Sequence, residues 1–496
     1  MSIELAKPQA RNALGEQSVC GHPEKLVKRK YTMRPAGIVL VLCAAAAMAA
    51  AAPQASAGTR PIQFVCSRSE CSCEDLDGLE MVTCDCSTGG SNEHLMLGAR
   101  SEAYLSDRTR SLRVHNCSHV SLVSEALSNA ISLVDLELSD IASLELQASS
   151  LYTEGGPRRR VTVQRVADLQ VHEEAFSQVT QLQELNIAEV VTGPLPLDGL
   201  PDGADVVNMH ISDSVAEDVR ILVDKSDNVT VSKCKLDSLS ISIGDVLSVA
   251  VTDNTIKKVD TLRINARPNA HSTDSNNMTL VRNTISSMDS WDVEMTLDTI
   301  EIVNNTIGSL LAPLRVEFTT AAVKGNEVGR LGASVFSEFV RLDPVNLRFG
   351  ESSEEFAFTF AENTLRASAN GSYGLFLTPA DEKDSYSALY RIYGNRFACR
   401  CEELKELVSA GEEEYLKDDD EDHSDGLFQL EDVYGALYSS SRCVEGNKAL
   451  DQYRLLSYSD DFECLKTVRD DSGASSAVAG ALTILLAASA ALGMAV

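Results

Sequence analysis

One spacing recurs along this chain and constrains its fold more than any other feature. Two apolar residues one position apart are followed, three residues after the second, by Asn or Cys, and then by another apolar residue two further on. Val229, Val231, Cys234 and Leu236 fit this frame, as do Val249, Val251, Asn254 and Ile256. It holds again for Met278, Leu280, Asn283 and Ile285, for Ile300, Ile302, Asn305 and Ile307, and for Ala321, Val323, Asn326 and Val328. Phe358, Phe360, Asn363 and Leu365 continue it, and Tyr390, Ile392, Asn395 and Phe397 end it. Upstream the phase survives while the polar slot weakens: Cys117, Ile141, Val166, Val190 and Ser214 follow pairs such as Leu136/Leu138, Val161/Val163, Leu185/Ile187 and Met209/Ile211. Those upstream steps are 24, 25, 24 and 24 residues; the downstream ones are 20, 20, 29, 22 and 21, then 37 and 32 where insertions enter. Periods of this size belong to a solenoid, in which each repeat is one coil and neighbouring coils bury one another's apolar side.

The frame has a direct physical reading. Alternating apolar residues make a short strand with one face inward, and the slot falls where the chain turns away from it. A buried Asn in that place can bond backbone groups that the turn leaves unpaired, coil above coil, and Cys is a small weak donor that can stand in for it. Ser238-Leu239-Ser240-Ile241-Ser242-Ile243, opposite the slot strand, alternates like a second strand, so a helix-free parallel β-solenoid is one architecture the sequence allows.

The frame also resembles the leucine-rich repeat, LxxLxLxxN/CxL, matched in phase but with Val, Ile and Phe in place of most leucines. The resemblance implies an α/β or mainly β solenoid of parallel strands between two cysteine caps. Cys66, Cys71, Cys73 and Cys84 are spaced like the N-terminal cap of extracellular members, which covers the open end of the first coil. Asn395-Arg396-Phe397-Ala398-Cys399-Arg400-Cys401, followed by Cys443 and Cys464, is similar to their C-terminal cap, NxFxCxC…C…C. That similarity implies bridges from Cys399 to Cys443 and from Cys401 to Cys464, although the acidic insertion between Cys401 and Cys443 departs from the pattern. Cys86 and Cys117 are candidates for an extra bridge. Cys234 is then left as a buried thiol in an Asn slot, or as the source of an intermolecular bond in a homo-oligomer.

The ends of the chain set its compartment. Met33-Arg34, the apolar run Ile38 to Ala52 and the small residues Ala55-Ser56-Ala57 read as a signal peptide cut after Ala57, with translation starting at Met1 or Met33. From Ala477 to Val496 no residue is charged. With the small residues Asp471-Ser472-Gly473-Ala474 before it, this tail reads as a signal for a glycosylphosphatidylinositol anchor, attached at Ser472 or Gly473; a tail-anchored span is the alternative. The expected organisation is leader 1–57, N-terminal cap 58–104, repeats 105–397, C-terminal cap with acidic insertion 398–466 and attachment signal 467–496. Cleavage of the leader leaves 36 basic and 70 acidic side chains, a net charge of −34, which disfavours nucleic acid and anionic lipid as partners. Eleven of the 13 cysteines survive it, and in an exported chain these read as disulfides.

No catalytic constellation stands out: the eight histidines are scattered, and there is no HExxH, nucleophile elbow or phosphate-cradling loop. His115 and His119 flank Cys117, but their neighbours fill repeat slots. A polysaccharide-cleaving solenoid would cluster Asp, Lys or Arg along one strand stack, whereas the outward positions here are mostly Thr, Ser, Ala and Asn. Within the acidic insertion, Glu412 to Glu414 and Asp418 to Asp425, the residues Asp420, Asp422, Ser424 and Glu431 take first, third, fifth and twelfth places of a calcium loop. Its turn glycine arrives one residue late, as Gly426. Five N-glycosylation sequons stand at Asn116, Asn228, Asn277, Asn304 and Asn370. Four of them fall on the outer side of the strand array, which directs protein contacts to the sequon-free repeats from about Val161 to Met209, or to the caps. No cofactor is called for. The expectation is a cell-surface module that binds an extracellular protein ligand or receptor and is held to the membrane by its tail. The competing classes are recognition of carbohydrate or microbial surfaces, for which the single Trp291 offers little platform, and a structural cell-coat component.

Overall fold

A computed structural model describes residues 63–88, 94–98, 103–153, 159–201, 204–266, 276–288, 290–293, 297–314, 316–332, 335, 339–341, 358–367, 390–399, 439–444, 446–447 and 449. All lie in the compact unit Arg60–Val496. The leader, Asn370, Cys401, Cys464, the acidic insertion, Ser472 and Gly473 lie outside these residues.

The chain is a parallel β-solenoid. Its slot strands stack in one register: Leu136 beside Val161, Val161 beside Leu185, Leu185 beside Met209, and Met209 beside Val229. The series runs on through Val249, Met278, Ile300, Ala321 and Phe358 to Tyr390. Parallel strands buried within a stack favour β-branched and other apolar residues inward, as the Val and Ile columns of the frame supply. Among the described residues the elements are strands, apart from the short 3-10 turn Val65–Ser67 and a helical fragment at 439–440.

The side away from the slot strands carries strand rather than helix, so the helix-free alternative is the architecture present. Val219, Ile221 and Val223 lie beside Leu239, Ile241 and Ile243 in parallel register. A single 20-residue step shows how the coil closes. Within Lys235–Thr252 the inward residues are Leu236, Leu239, Ile241, Ile243, Val246, Val249 and Val251. They stand two apart along a flat side and three apart at a bend, so the spacing of apolar residues sets both sides and corners. The longer coils upstream replace the second strand with turns whose apolar residues enter the same core: Ala126 and Leu127 in one coil, Ala175 and Phe176 in a later one.

Both described ends are stapled. An antiparallel hairpin, Cys71–Leu76 with Leu79–Asp85, turns through Asp77 and Gly78, both at positive φ, where glycine's missing Cβ removes the steric penalty. Cys66 is bonded to Cys73 and Cys71 to Cys84. The second hairpin strand pairs in parallel with Thr109–Leu122, and Cys86–Cys117 bonds the cap to the first slot. At the other end Cys399 is bonded to Cys443, whose strand lies beside Arg396–Phe397.

Asparagine columns run through the interior. The backbone N–H of Asn283 donates to Oδ1 of Asn305 (2.9 Å), and Nδ2 of Asn283 donates to the same oxygen (3.1 Å) and to the carbonyl of Val251 in the preceding coil (2.7 Å). Asn305, Asn326 and Asn363 repeat this pattern with their own neighbours, and the backbone N–H of Cys234 starts it on Oδ1 of Asn254 at 2.8 Å. Asn395 reaches back to the carbonyl of Phe360. Each side chain thus satisfies a buried N–H and a buried carbonyl of the preceding coil, which water cannot reach, and its Nδ2 bonds the asparagine of the next coil. Asn305→Ala would leave the backbone N–H of Asn283 without its acceptor and the carbonyl of Leu280 without this donor, and is expected to destabilise the fold by on the order of 3 kcal/mol. Thr284→Ala, at an exposed strand position, is expected to change stability by less than about 0.5 kcal/mol. Denaturant melts of the two variants check this, and equal effects would contradict the ladder's role.

Candidate binding surface

The residue immediately before the slot turns the chain out of the slot strand, and it does so in the left-handed conformation. Its φ is 57° at Asn116, 55° at Asp140, 53° at Arg165, 54° at Glu189, 49° at Asp213, 53° at Lys233, 59° at Asp253, 55° at Arg282 and 56° at Asn304. Gly325, Glu362 and Gly394 complete the column. A side chain at such a φ is disfavoured by roughly 1 kcal/mol, so the stack enforces a corner that local preference opposes. At Gly325 an added Cβ would stand 2.3 Å from Oδ1 of Asn304, so this corner also has no room for one without movement of that side chain.

In-register stacking brings equivalent corner residues within about 5 Å of each other, where like charges repel. Several corners therefore alternate in sign. Arg165 donates twice to Asp140, at 2.6 and 2.8 Å, and Arg282 twice to Asp253, at 2.6 and 2.7 Å. Lys233 stands 4.0 Å from Asp213, and Lys324 reaches Glu362 at 3.6 Å. A second set crosses the strand face of the first coils, joining Arg113 to Glu137 at 2.7 Å and Arg160 to Asp135 at 2.6 Å. In the middle coils the outward strand positions are small and uncharged: Thr230, Ser232, Ala250, Thr252 and Thr279.

The sequons divide between corner and strand. Asn116 and Asn304 are exposed corner residues, Asn228 is exposed on the strand face and Asn277 is half-buried there. Nδ2 of Asn228 donates to Oδ1 of Asn208 at 2.9 Å, and Nδ2 of Asn116 to Oδ1 of Asp85 at 3.2 Å. The frame keeps the ladder asparagines out of this set. A sequon needs Ser or Thr two residues on, and two residues after the slot the chain points inward at Ile256, Ile285, Ile307, Val328, Leu365 and Phe397.

Cys234 is 2 % exposed, and burial pushes its thiol up to about 11. Its Sγ donates to the carbonyl of Ser232 at 3.2 Å. This thiol is therefore a slot residue, and its burial removes it as the source of an intermolecular bond. Next to it the ladder changes character: Ser214 Oγ accepts from the N–H of Val190 at 3.2 Å and donates to the carbonyl of Ser212 at 2.6 Å, while Ile141, Val166 and Val190 fill their slots without polar atoms.

The rings of His94 and His119 meet edge to face at 4.5 Å on neighbouring parallel strands, and His115 Nδ1 lies 3.8 Å from Asp85. Among the described residues no three His, Cys, Asp or Glu side chains are grouped to hold a metal ion. Trp291 is buried in the core. Arg159 was not singled out by the frame, although it shares the parity of the inward Val161 and Val163. It is buried, its Nε and Nη1 donate to the carbonyls of Leu133 and Leu151 at 3.1 Å each, and burial lowers its guanidinium to about 10. Its visible partners are backbone, so its part is to close the coil.

No protein-family model matches the chain, and no curated protein matches it. The disulfides point to a secreted or extracellular protein, since such bonds persist in oxidising compartments. Among the described residues no helix is long and apolar enough to cross a membrane.

Hydrogen bonds from Arg165 and Arg282 hold Asp140 and Asp253 below the usual carboxylate range. Folded values below the unfolded ones mean that this stabilisation is complete above the ordinary Asp range near pH ~4 and is lost as pH falls from there through the lower folded values. Both pairs are solvent-exposed, so the effect is small. Asp140→Asn with Asp253→Asn is expected to lower the melting temperature slightly at pH 7, and the gap to wild type should shrink as pH falls below the ordinary Asp range. A gap independent of pH would contradict an ionic origin.

Proposed function

We propose that this chain is an extracellular, non-enzymatic module that binds another protein, acting as an adhesion molecule, displayed ligand or co-receptor. The observation that carries this reading is the outer strand face. Registered stacking from Leu136 to Tyr390 repeats equivalent outward positions coil after coil, on a scaffold fixed by an interior ladder and stapled at both described ends. A rigid array of that kind suits contact with an extended surface, because little conformational freedom is lost on binding.

The repeat frame and the cysteine spacing support kinship with the leucine-rich repeat proteins, with strands where many of that family place helices. The leader up to Ala57 supports export, and the uncharged tail after Ala477 supports a lipid anchor attached at Ser472 or Gly473. A lipid-anchored product has no cytoplasmic segment, so it would act by display or through a membrane partner. Exposed Asn116, Asn228 and Asn304 are suited to carry N-linked glycans. Treating cells that express the full chain with a phospholipase specific for phosphatidylinositol anchors is expected to release it into the medium. Retention at the cell surface would replace the lipid anchor with a C-terminal span.

A further inference from the structure

The position one residue after the slot is outward and solvent-facing throughout the stack, yet its chemistry changes half-way along. After Ser118 at the first slot it is aliphatic over four coils: Ala142, Ala167, Val191 and Val215, all exposed, the two valines by 50 % and 45 %. In the second half the same column reads Lys235, Thr255, Thr284 and Thr306. The register is continuous, with Val191 beside Val215, Val215 beside Lys235, and the threonines following in turn. Packing therefore accepts a polar side chain at this position, so the core does not require the exposed valines.

After Asn116 the sequons resume only where the column turns polar. Asn228, Asn277 and Asn304 belong to the polar half, and no sequon lies between Asn116 and Asn228. A glycan is large and hydrated and screens the surface around it, so the aliphatic half is the part a sequon-directed coat leaves open. The rim of the valine pair is acidic. Glu189 and Asp213 precede the valines by two residues, Asp168 and Glu217 stand on the side after the corner, and all four are exposed. Glu217 lies over Gly193, its Oε2 3.8 Å from where a Cβ would stand. The nearby cations are Arg165, bonded to Asp140, Lys233, 4.0 Å from Asp213, and Lys235 in the next coil.

Resting on the binding-module reading, we propose that Val191 and Val215, with their rim of Asp168, Glu189, Asp213 and Glu217, form the contact surface for a partner segment that carries aliphatic side chains flanked by Lys or Arg. Burial of the valines would supply apolar contact, and the rim would select positive flanks and repel acidic ones. A second copy of this chain fits poorly, because its own acidic rim would face an equally acidic surface.

The repeat provides its own test. Glu189→Asn with Val191→Thr places Asn-Val-Thr at the corner where Asn304-Asn305-Thr306 stands, and so directs a glycan onto the surface in a geometry the fold already accommodates. A second variant, Val191→Ser with Val215→Ser, removes the aliphatic groups without adding sugar. The full chain is displayed on cells and probed with two synthetic peptides of identical aliphatic residues, one flanked by lysines and one by glutamates. Wild type is expected to bind the lysine peptide at least tenfold more tightly than the glutamate peptide. Both variants should lose at least tenfold for the lysine peptide, and enzymatic removal of the sugar should recover only part of that loss in the first, because its Val191→Thr change remains. Equal binding of the two peptides, undiminished binding by the serine variant, or valine-dependent self-association of the displayed chain would overturn the proposal. Adhesion of the displaying cells to unmodified cells separates this from the wider reading. Wild-type adhesion that both variants retain discards this surface and leaves the binding-module reading standing, whereas absence of wild-type adhesion counts against the reading on which the proposal rests.

Discussion

The structure depends on how a turning backbone hides its polar groups inside a stack. At the corners from Cys234 to Asn363 the chain leaves the slot strand, and the amide that follows has no ladder partner of its own. The asparagine of the next coil supplies the acceptor, while its Nδ2 reaches back to a carbonyl of the coil before. The polar side chain is buried because the backbone around it needs partners, and each such residue is useful only when its neighbours are in register. That mutual requirement ties coils of 20 residues to coils of 37, since the slot returns to its place at either spacing.

From this constraint the outer surface follows. Registration fixes outward residues in columns, and columns bring like positions close enough for charge to matter. The result is the alternation seen at Asp140 and Arg165, and again at Asp253 and Arg282. The same columns separate two kinds of asparagine. Those in the slot are inward and have an apolar residue two positions on, which keeps them from being sequons; those before the corner or at the start of the strand can have Thr or Ser two positions on and face water. A function by surface contact is consistent with a fold that spends its interior on registration and repeats its exterior.

Much of this was legible in sequence because the frame is strict where the chemistry is strict. Val231, Val251 and Leu280 recur with Cys234, Asn254 and Asn283 at fixed offsets, and the register follows these offsets through insertions. Ser238 to Ile243 carried the alternation of the second strand, which in these coils stands where the resemblance allowed a helix. The left-handed corner was only partly legible: Asn116, Asp140, Asp213, Asp253, Asn304, Gly325 and Gly394 are types that tolerate positive φ, whereas at Arg165, Glu189, Lys233 and Arg282 the stack imposes the conformation against local preference. Buried Arg159 was hidden for a similar reason. Its parity marks it as inward, but its partners are carbonyls of Leu133 and Leu151, far away in sequence and visible only after folding. The aliphatic column at Val191 and Val215 was equally unreadable, because exposure at that position depends on the bend that follows the corner.

Hydrogen exchange at the slot amides tests the central claim most directly, since the claim is that the N–H groups of Asn254, Asn283, Asn305, Asn326 and Asn363 are held by side-chain oxygens inside the core. Residue-resolved exchange on the disulfide-intact protein should place these amides among the slowest in the chain, comparable with the flanking strand amides. Exchange at the slots as fast as at the exposed turn residues Asp77 and Gly78, with the flanking strands still protected, would contradict it.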